Sequence, residues 1–382
     1  MPGKVATVAA AAIALAAALL STGAAADDVA EFYRSNRVRI VVGHPPGTAG
    51  DAHARLLGRH LGRYLPGAPA VIVQNMPGAG GLIAANYLYA AAPADGSVLA
   101  TFSHDMPMLA LLGENANVRF DPLKLGWLGS SSGYEDDALL LLVHEGAAFV
   151  TIDDARGESR RELVLGVTGE HARGSDVPVA LREPAGVNLN LLFGGAAEEA
   201  TGGAVPHLLR QVLGLNLKVI SGFPDSNAID AAIARGEIDG RMASLSAIRA
   251  SRPQWLTSSG PMRVLMQFGR ATRHPAFAEA PTARELAGDE ATRELIALAE
   301  IPYMMSRPYA VPPGVPAGRA RALASAFAAV HEDAAFRAGA ARLGFDVSLV
   351  GPEAMRQLLD RIIEAPAELR DRLRKARAGG GE

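Results

Sequence analysis

The stretch Val41–Pro93, VVGHPPGTAGDAHARLLGRHLGRYLPGAPAVIVQNMPGAGGLIAANYLYAAAP, holds two glycine-rich loops. Each follows a short β-branched apolar run, and each precedes a helical pattern. Val38–Gly43 (VRIVVG), Ala70–Gln74 (AVIVQ) and Ser97–Ser103 (SVLATFS) read as buried strands of the parallel type. Asp51–Leu65 and Gly81–Ala92 read as the helices between them. Strands alternating with helices predict βαβ units and a mostly parallel sheet. Pro93-Ala94-Asp95-Gly96 is the turn into the third strand.

Parallel strands deliver their loops to one edge of the sheet, where ligands bind. A helix that starts in such a loop leaves backbone N–H groups unpaired and carries a partial positive charge. Gly47, Gly50, Gly78, Gly80 and Gly81 let the backbone come close to a ligand. Two such loops at one edge would cradle a single anionic group. The sequence has no G-x-x-x-x-G-K-[ST], and neither loop carries a G-x-G-x-x-G followed by a well-placed acid. A carboxylate or other small oxyanion fits better than a nucleotide. Asp51 falls at the start of the first helix. It reads as an N-cap or first-turn acid, or as a partner for a ligand ammonium or hydroxyl, and the two roles are compatible.

A second set of elements follows. Leu125–Ser130, Ala138–His144, Glu162–Thr168 and Leu217–Ser221 are strand candidates, with a helix over 226–235. Gly236-Glu237-Ile238-Asp239-Gly240 is a tight connection into one more short strand. Residues 169–203 are poorly periodic and read as a long insertion or loop. Arg263–Phe268 reads as a strand leading back to the first domain. Helices are expected at 317–330, 333–343, 352–363 and 366–378, the first entered through Pro312-Pro313-Gly314-Val315-Pro316. One domain interrupted by another implies two linking segments, hence a hinge.

Composition narrows the function. The chain of 382 residues is 49% hydrophobic and 20% charged, so it supports a sizeable core. A net charge of −3 with no basic block argues against nucleic acid as a partner. Met1–Ala26 reads as a cleaved secretory signal: Lys4, an Ala/Leu-rich run from Val5 to Leu20, and Ala24-Ala25-Ala26 before Asp27. No cysteine is present, which removes disulfides, thiolate metal sites and a lipid anchor on an N-terminal cysteine.

Several motifs point elsewhere. Gly129-Ser130-Ser131-Ser132-Gly133 matches the G-x-S-x-G elbow, but that motif needs a helix directly after the serine. Here Tyr134-Glu135-Asp136-Asp137 and an apolar strand follow, so the segment reads as a linker at the domain crossing. His44, Asp51, His53 and His60 cluster in sequence, yet His53 and His60 stand two helical turns apart, which is poor chelating geometry. No metal and no cofactor are expected. Trp127 reads as an anchor packed near the hinge.

The glycine loops also carry a family resemblance. Val41-Val42-Gly43-His44-Pro45-Pro46-Gly47 leading to Asp51, Val73-Gln74-Asn75-Met76-Pro77-Gly78-Ala79-Gly80-Gly81, and Ala92-Pro93-Ala94-Asp95-Gly96-Ser97 resemble the Bug-type extracytoplasmic solute receptors of tripartite tricarboxylate transporters. Weaker echoes are Ser221-Gly222-Phe223-Pro224, the 236–240 turn, Ala280–Leu286 and Arg307–Pro316. Thr48 departs from the family's usual Pro-Gly-Gly in the first loop.

The resemblance implies a two-lobe α/β fold of the second periplasmic-binding-protein type, each lobe a mostly parallel sheet flanked by helices, with a hinge between. The expected division is a leader at 1–26, the first part of lobe 1 at 27–128, lobe 2 at 129–262 with the insertion at 169–203, and a return to lobe 1 at 263–382. It also implies a monomeric, non-catalytic periplasmic receptor that captures a small carboxylate and hands it to membrane permease subunits. Carried over by position, the ligand-binding residues are Pro46, Gly47, Thr48, Ala49, Gly50 and Asp51 in the first loop, and Pro77, Gly78, Ala79, Gly80 and Gly81 in the second. Ser103 and His104 end the third strand. Gly169, Glu170, Ser221, Gly222, Phe223 and Asp225 are the candidates from the other lobe. The rival readings are an exported hydrolase or lyase using Ser131, or a histidine with Asp51, and a receptor that feeds a signalling partner.

Overall fold

Strand β1 (Val38–Val42) is buried at every position except the half-buried Arg39, as expected of a strand covered on both faces. It pairs in parallel with β2 (Val71–Asn75) on one side and β3 (Val98–Thr101) on the other. Helix α1 (28–35) precedes β1, while α2 (Ala49–Leu61) and α3 (Leu82–Ala90) make the crossovers. Helix α4 (Met106–Leu111) follows β3, and β4 (Gly126–Ser130) closes this part of the chain. The computed structural model describes residues 28–156, 162–168, 201–223, 226–257 and 259–377. Met1–Ala26 and nearly all of 169–203 lie outside the described residues.

Local chemistry accounts for α2. Thr48 is its N-cap, and its hydroxyl accepts from the Asp51 amide. Ala54, Leu57 and Leu61, at helical spacing, are fully buried against the sheet side. Arg59 and His60 occupy the last turn, where positive charge complements the helix dipole.

The second sheet holds β5 (Leu139–His144), β6 (Leu163–Thr168), β7 (Leu217–Phe223), β8 (Gly240–Ser244) and β9 (Met262–Phe268) in the order β7-β6-β8-β5-β9. Strand β6 runs parallel to β7 and β8, and β5 runs antiparallel to β8 and β9. Helices α5 (Thr201–Leu213), α6 (Ser226–Ala234) and α7 (Leu245–Ser251) belong to this half of the chain.

Three expectations are corrected. Neither sheet is mostly parallel: in each, two strand pairings are parallel and two antiparallel. Leu125–Ser130 supplies β4 of the first sheet rather than a strand of the second set, so the boundary expected after residue 128 falls inside it. Arg263–Phe268 does not return to the first sheet. It pairs with β5 from Leu139↔Phe268 to His144↔Met262, so the boundary expected after residue 262 falls inside a strand of the second sheet. A short apolar run states that it is buried, but not beneath which of two sheets. The return is made after α8 (Glu290–Ala299) by β10 (Pro308–Val311), which inserts antiparallel between β3 and β4. The first sheet therefore reads β2-β1-β3-β10-β4.

The tail helices α9 (Ala317–Glu332), α10 (Ala334–Arg342), α11 (Pro352–Glu364) and α12 (Ala367–Arg377) lie within a residue or two of their expected places. Helices α9 and α10 pack on α2, whereas α12 packs on α5 and α8. Among the described residues no helix is long and apolar enough to cross a membrane.

The chain passes between the sheets at 131–138 and at 269–307, as expected of a hinge. Arg270 Nη1 fastens one crossing to the other, donating to the carbonyls of Tyr134 (3.0 Å), Glu135 (2.8 Å) and Asp137 (2.7 Å). The rings of Tyr134 and Tyr303 meet at 5.3 Å across the same junction. Glu300, fully buried, accepts from the Gly269 amide at 3.0 Å and pairs with Arg284.

Candidate functional site

The first loop leaves β1 at Gly43 and enters α2 at Ala49. Asp51 does not cap the helix; Thr48 does. The Asp51 carboxylate instead braces the loop from beneath. Its Oδ2 accepts from the Gly47 amide (2.9 Å) and from Arg55 Nε (2.9 Å), and its Oδ1 accepts from Asn75 Nδ2 (2.8 Å). Asn75 Nδ2 also donates to the His44 carbonyl, so the end of β2 is tied to the first loop. Burial pushes the Asp51 carboxyl up, but the bonds from Arg55, Gly47 and Asn75 outweigh it and hold the group below the usual carboxylate range.

The second loop is a tight turn with φ positive at Gly78, Ala79, Gly80 and Gly81. Gly81, at φ 95°, is also the residue before α3. Only glycine accepts both demands there, since a Cβ would stand 2.9 Å from Phe102 Cβ as well. The two loops touch. A Cβ on Gly43 would lie 2.8 Å from Gly81 Cα. The paired turns therefore share one edge, as the sequence predicts, and the tips at Pro46, Gly47, Ala49, Pro77 and Ala79 are exposed.

Beside the first loop lies a polar cavity of about 10 Å³, room for a single water molecule. Its walls include His44 and Gly50 from the first loop and helix, His53 from α2, and Ser306, Arg307 and Tyr309 from the return crossing and β10. The His44 ring lies on Gly50: a Cβ there would be 2.4 Å from His44 Cδ2. His53 is 1% exposed, and its Nδ1 is 3.0 Å from the Tyr309 hydroxyl. The Arg307 guanidinium stacks on the Phe345 ring at 4.5 Å. Burial, then the charge of Arg307 and of His331, hold the His53 imidazole well below its ordinary range, so it is neutral at pH 7.

The sequence reading missed this part of the site. Arg307 and Tyr309 stand in the Arg307–Pro316 echo, but nothing in their spacing ties them to the loops; β10 does so by inserting beside β3. The histidines of the apparent cluster separate to different partners: His44 to Gly50, His53 to Tyr309, and His60 to Asp333 at 3.0 Å.

The first-lobe candidates come together. Ser103 N is 3.3 Å from a Cβ built on Gly81, and the Ser103 hydroxyl accepts from Asp105 N. The His104 ring stacks on Tyr303 at 5.1 Å. From the other half, Phe223 is 2% exposed and packs in the core with Ile229 and Ile238 rather than at the surface. Ser221 and Gly222 lie in β7. Gly169, Glu170 and Asp225 fall outside the described residues. Ser131 sits in the crossing, where its amide donates to the Arg307 carbonyl, and no helix follows it. Trp127 packs on Phe102 within the first half.

Two α/β sheets joined by a double crossing, with helix N-termini and glycine turns meeting at one edge, define the two-lobe fold of periplasmic solute-binding proteins. Solved structures agree. A TctC solute-binding protein from Polaromonas superposes with a TM-score of 0.57 over 90% of this chain and 98% of its own, at 17% identity. MatC from Rhodopseudomonas palustris, solved with bound malate, gives 0.56 over 88% and 99%, at 18% identity. An R. palustris protein solved with adipate gives 0.57 over 88% and 97%, at 19% identity. In sequence, the chain is 35% identical over 129 residues to the UPF0065 protein in gbd 5'region of Cupriavidus necator, a match spanning 33% of this chain and 38% of that relative. No protein-family model matches the sequence. The resemblance to Bug- and TctC-type receptors thus holds in fold over most of the chain and in sequence over a third of it.

Proposed function

We propose that this protein is an extracytoplasmic receptor that captures a small carboxylate and delivers it to the membrane subunits of a tripartite transporter. The observation that carries the reading is the contact of the two glycine turns at Gly43 and Gly81, with the α2 N-terminus and a polar cavity beside them. Amides at such a site have no intrahelical acceptor and favour an oxyanion. The lobes close over the ligand about the double crossing fastened by Arg270. Closure excludes water and so strengthens the hydrogen bonds to the captured group. Malate and adipate bound in structures of the same fold supply the ligand class. The signal-like Met1–Ala26 supports export, and the absence of a helix beside Ser131 supports binding without catalysis.

Titration calorimetry of the mature chain with acetate, succinate, malate, adipate, citrate and glutamate tests this. Saturable binding of at least one acid, without its chemical conversion, is expected. No heat and no thermal shift with any of them refutes it.

A further inference from the structure

The cavity beside the first loop holds a donor set that the glycine turns do not account for. His53 is 1% exposed, and its Nε2 has no hydrogen-bond partner among the described residues. A buried polar nitrogen left without a partner forfeits its hydration with nothing in return, so a group is expected to complete it. The same cavity is lined by Arg307 and by Gly50 in the first turn of α2. Arg307, the first turn of α2 and His53 thus border one space with room for a single water molecule.

From this geometry we infer that Arg307, His53 Nε2–H and the α2 N-terminus form one oxyanion subsite, into which a carboxylate oxygen of the ligand inserts, and that the His44 ring covers it. This deepens the receptor reading above and rests on it. The proton arrangement follows from the surroundings. The Tyr309 hydroxyl lies 3.0 Å from His53 Nδ1; in the tautomer in which the hydroxyl donates, the proton of the neutral ring is on Nε2. A neutral donor beside a fixed cation binds an anion without a proton being taken up. The Phe345 ring beneath Arg307 holds the guanidinium plane in place.

His44 explains the small volume. Its ring rests on Gly50, in front of the first turn of α2, where the body of a carboxylate would lie. The ring must swing aside for the ligand to enter. That rearrangement lowers the apparent affinity by the fraction of molecules already open. Substitutions on the two sides of the subsite should therefore act in opposite directions.

The test uses the mature chain and whichever acid of the panel binds it. Arg307→Met and His53→Phe are expected to weaken binding about tenfold to hundredfold, the loss of one charge-assisted or buried hydrogen bond. Arg307→Lys should recover part of the loss. His44→Ala is expected to tighten binding several-fold. Nitrogen-15 spectra of His53 should show the Nε2–H tautomer, with that resonance moving when acid is added. Thermal melts separate misfolding from lost affinity, and Arg307→Lys guards against a fold defect in Arg307→Met. Unchanged affinity in both Arg307→Met and His53→Phe, or an Nδ1–H tautomer indifferent to the acid, overturns the inference: the cavity then holds a water molecule only. That result leaves the receptor reading intact, whereas failure of every acid to bind the unmodified chain removes the reading itself.

Discussion

Gly43→Ala probes the contact between the two glycine turns. A methyl group at this position would sit 2.8 Å from Gly81 Cα, 3.2 Å from Phe102 Cβ and 3.3 Å from Ala84 Cβ. Carbon atoms prefer about 3.5–4.0 Å, so the turns must separate by roughly 0.7 Å or more. The nearest atom is backbone, and it cannot rotate away. Overpacking of this kind costs about 1–3 kcal/mol, a fall of about 1–4 °C in Tm for a chain of this size. A shift of that extent also lengthens amide–carboxylate hydrogen bonds beyond useful range, and affinity for the bound acid should drop about tenfold or more. Calorimetric melting and titration of the same preparations read both effects. Gly288→Ala is the control, since no atom of the described residues lies within 4 Å of its Cβ and its φ is ordinary. A variant with lowered Tm but unchanged affinity would show that the turns do not share a ligand, and a variant unchanged in both would show that they do not touch.

Two further outcomes follow from the crossing. Burial raises the Glu300 carboxyl to about 7 against the pull of Arg284 and the Gly269 amide. The folded state therefore binds a proton that the unfolded chain gives up near pH 4.5, so this group's contribution is full below that pH and is lost as pH rises through about 7. Urea titrations between pH 5 and pH 8 should show stability falling with pH; Glu300→Gln should flatten the fall, and an equal slope in the variant would refute the assignment. Arg270→Ala removes the donor shared by Tyr134, Glu135 and Asp137, and should cost about 2–3 kcal/mol. Hydrogen exchange should then speed up at the amides of 131–138, and unchanged protection there would show that Arg270 does not fasten the crossing.

The parts legible in sequence were those with a local physical signature. Strand β1 is a run of β-branched residues, and both faces of it are buried. The second loop repeats glycine where the backbone turns left-handed. Helix α2 shows its buried face in Ala54, Leu57 and Leu61. What was not legible was non-local. Nothing in RVLMQF distinguishes the edge of β5 from the edge of β4, so the sequence alone puts the boundary before a strand that belongs to the second sheet. Arg307 reaches the first loop because β10 slots between β3 and β4, a pairing formed by residues two hundred positions apart. Asp51 reads in sequence as an N-cap or first-turn acid; Thr48 takes the cap, Asp51 lies in the first turn, and its role as a brace depends on Asn75 in the neighbouring strand.

The bracing of Asp51 bears on what the site can select. A chain of net charge −3 that captures an anion must shield its own carboxylates near the cleft. Asp51 lies in the first turn of α2, where an unpaired carboxylate would repel the ligand. Both of its oxygens are engaged, one by Gly47 and Arg55 and the other by Asn75, and the Arg55 guanidinium cancels its charge. The partial positive end of α2 is thereby left to the ligand. The same bonds take Asp51 away from any ligand ammonium, because a carboxylate already holding these donors gains little from another. Discrimination in this lobe therefore rests on negative charge and size, and an acid without an amino group should be preferred over an amino acid of equal length.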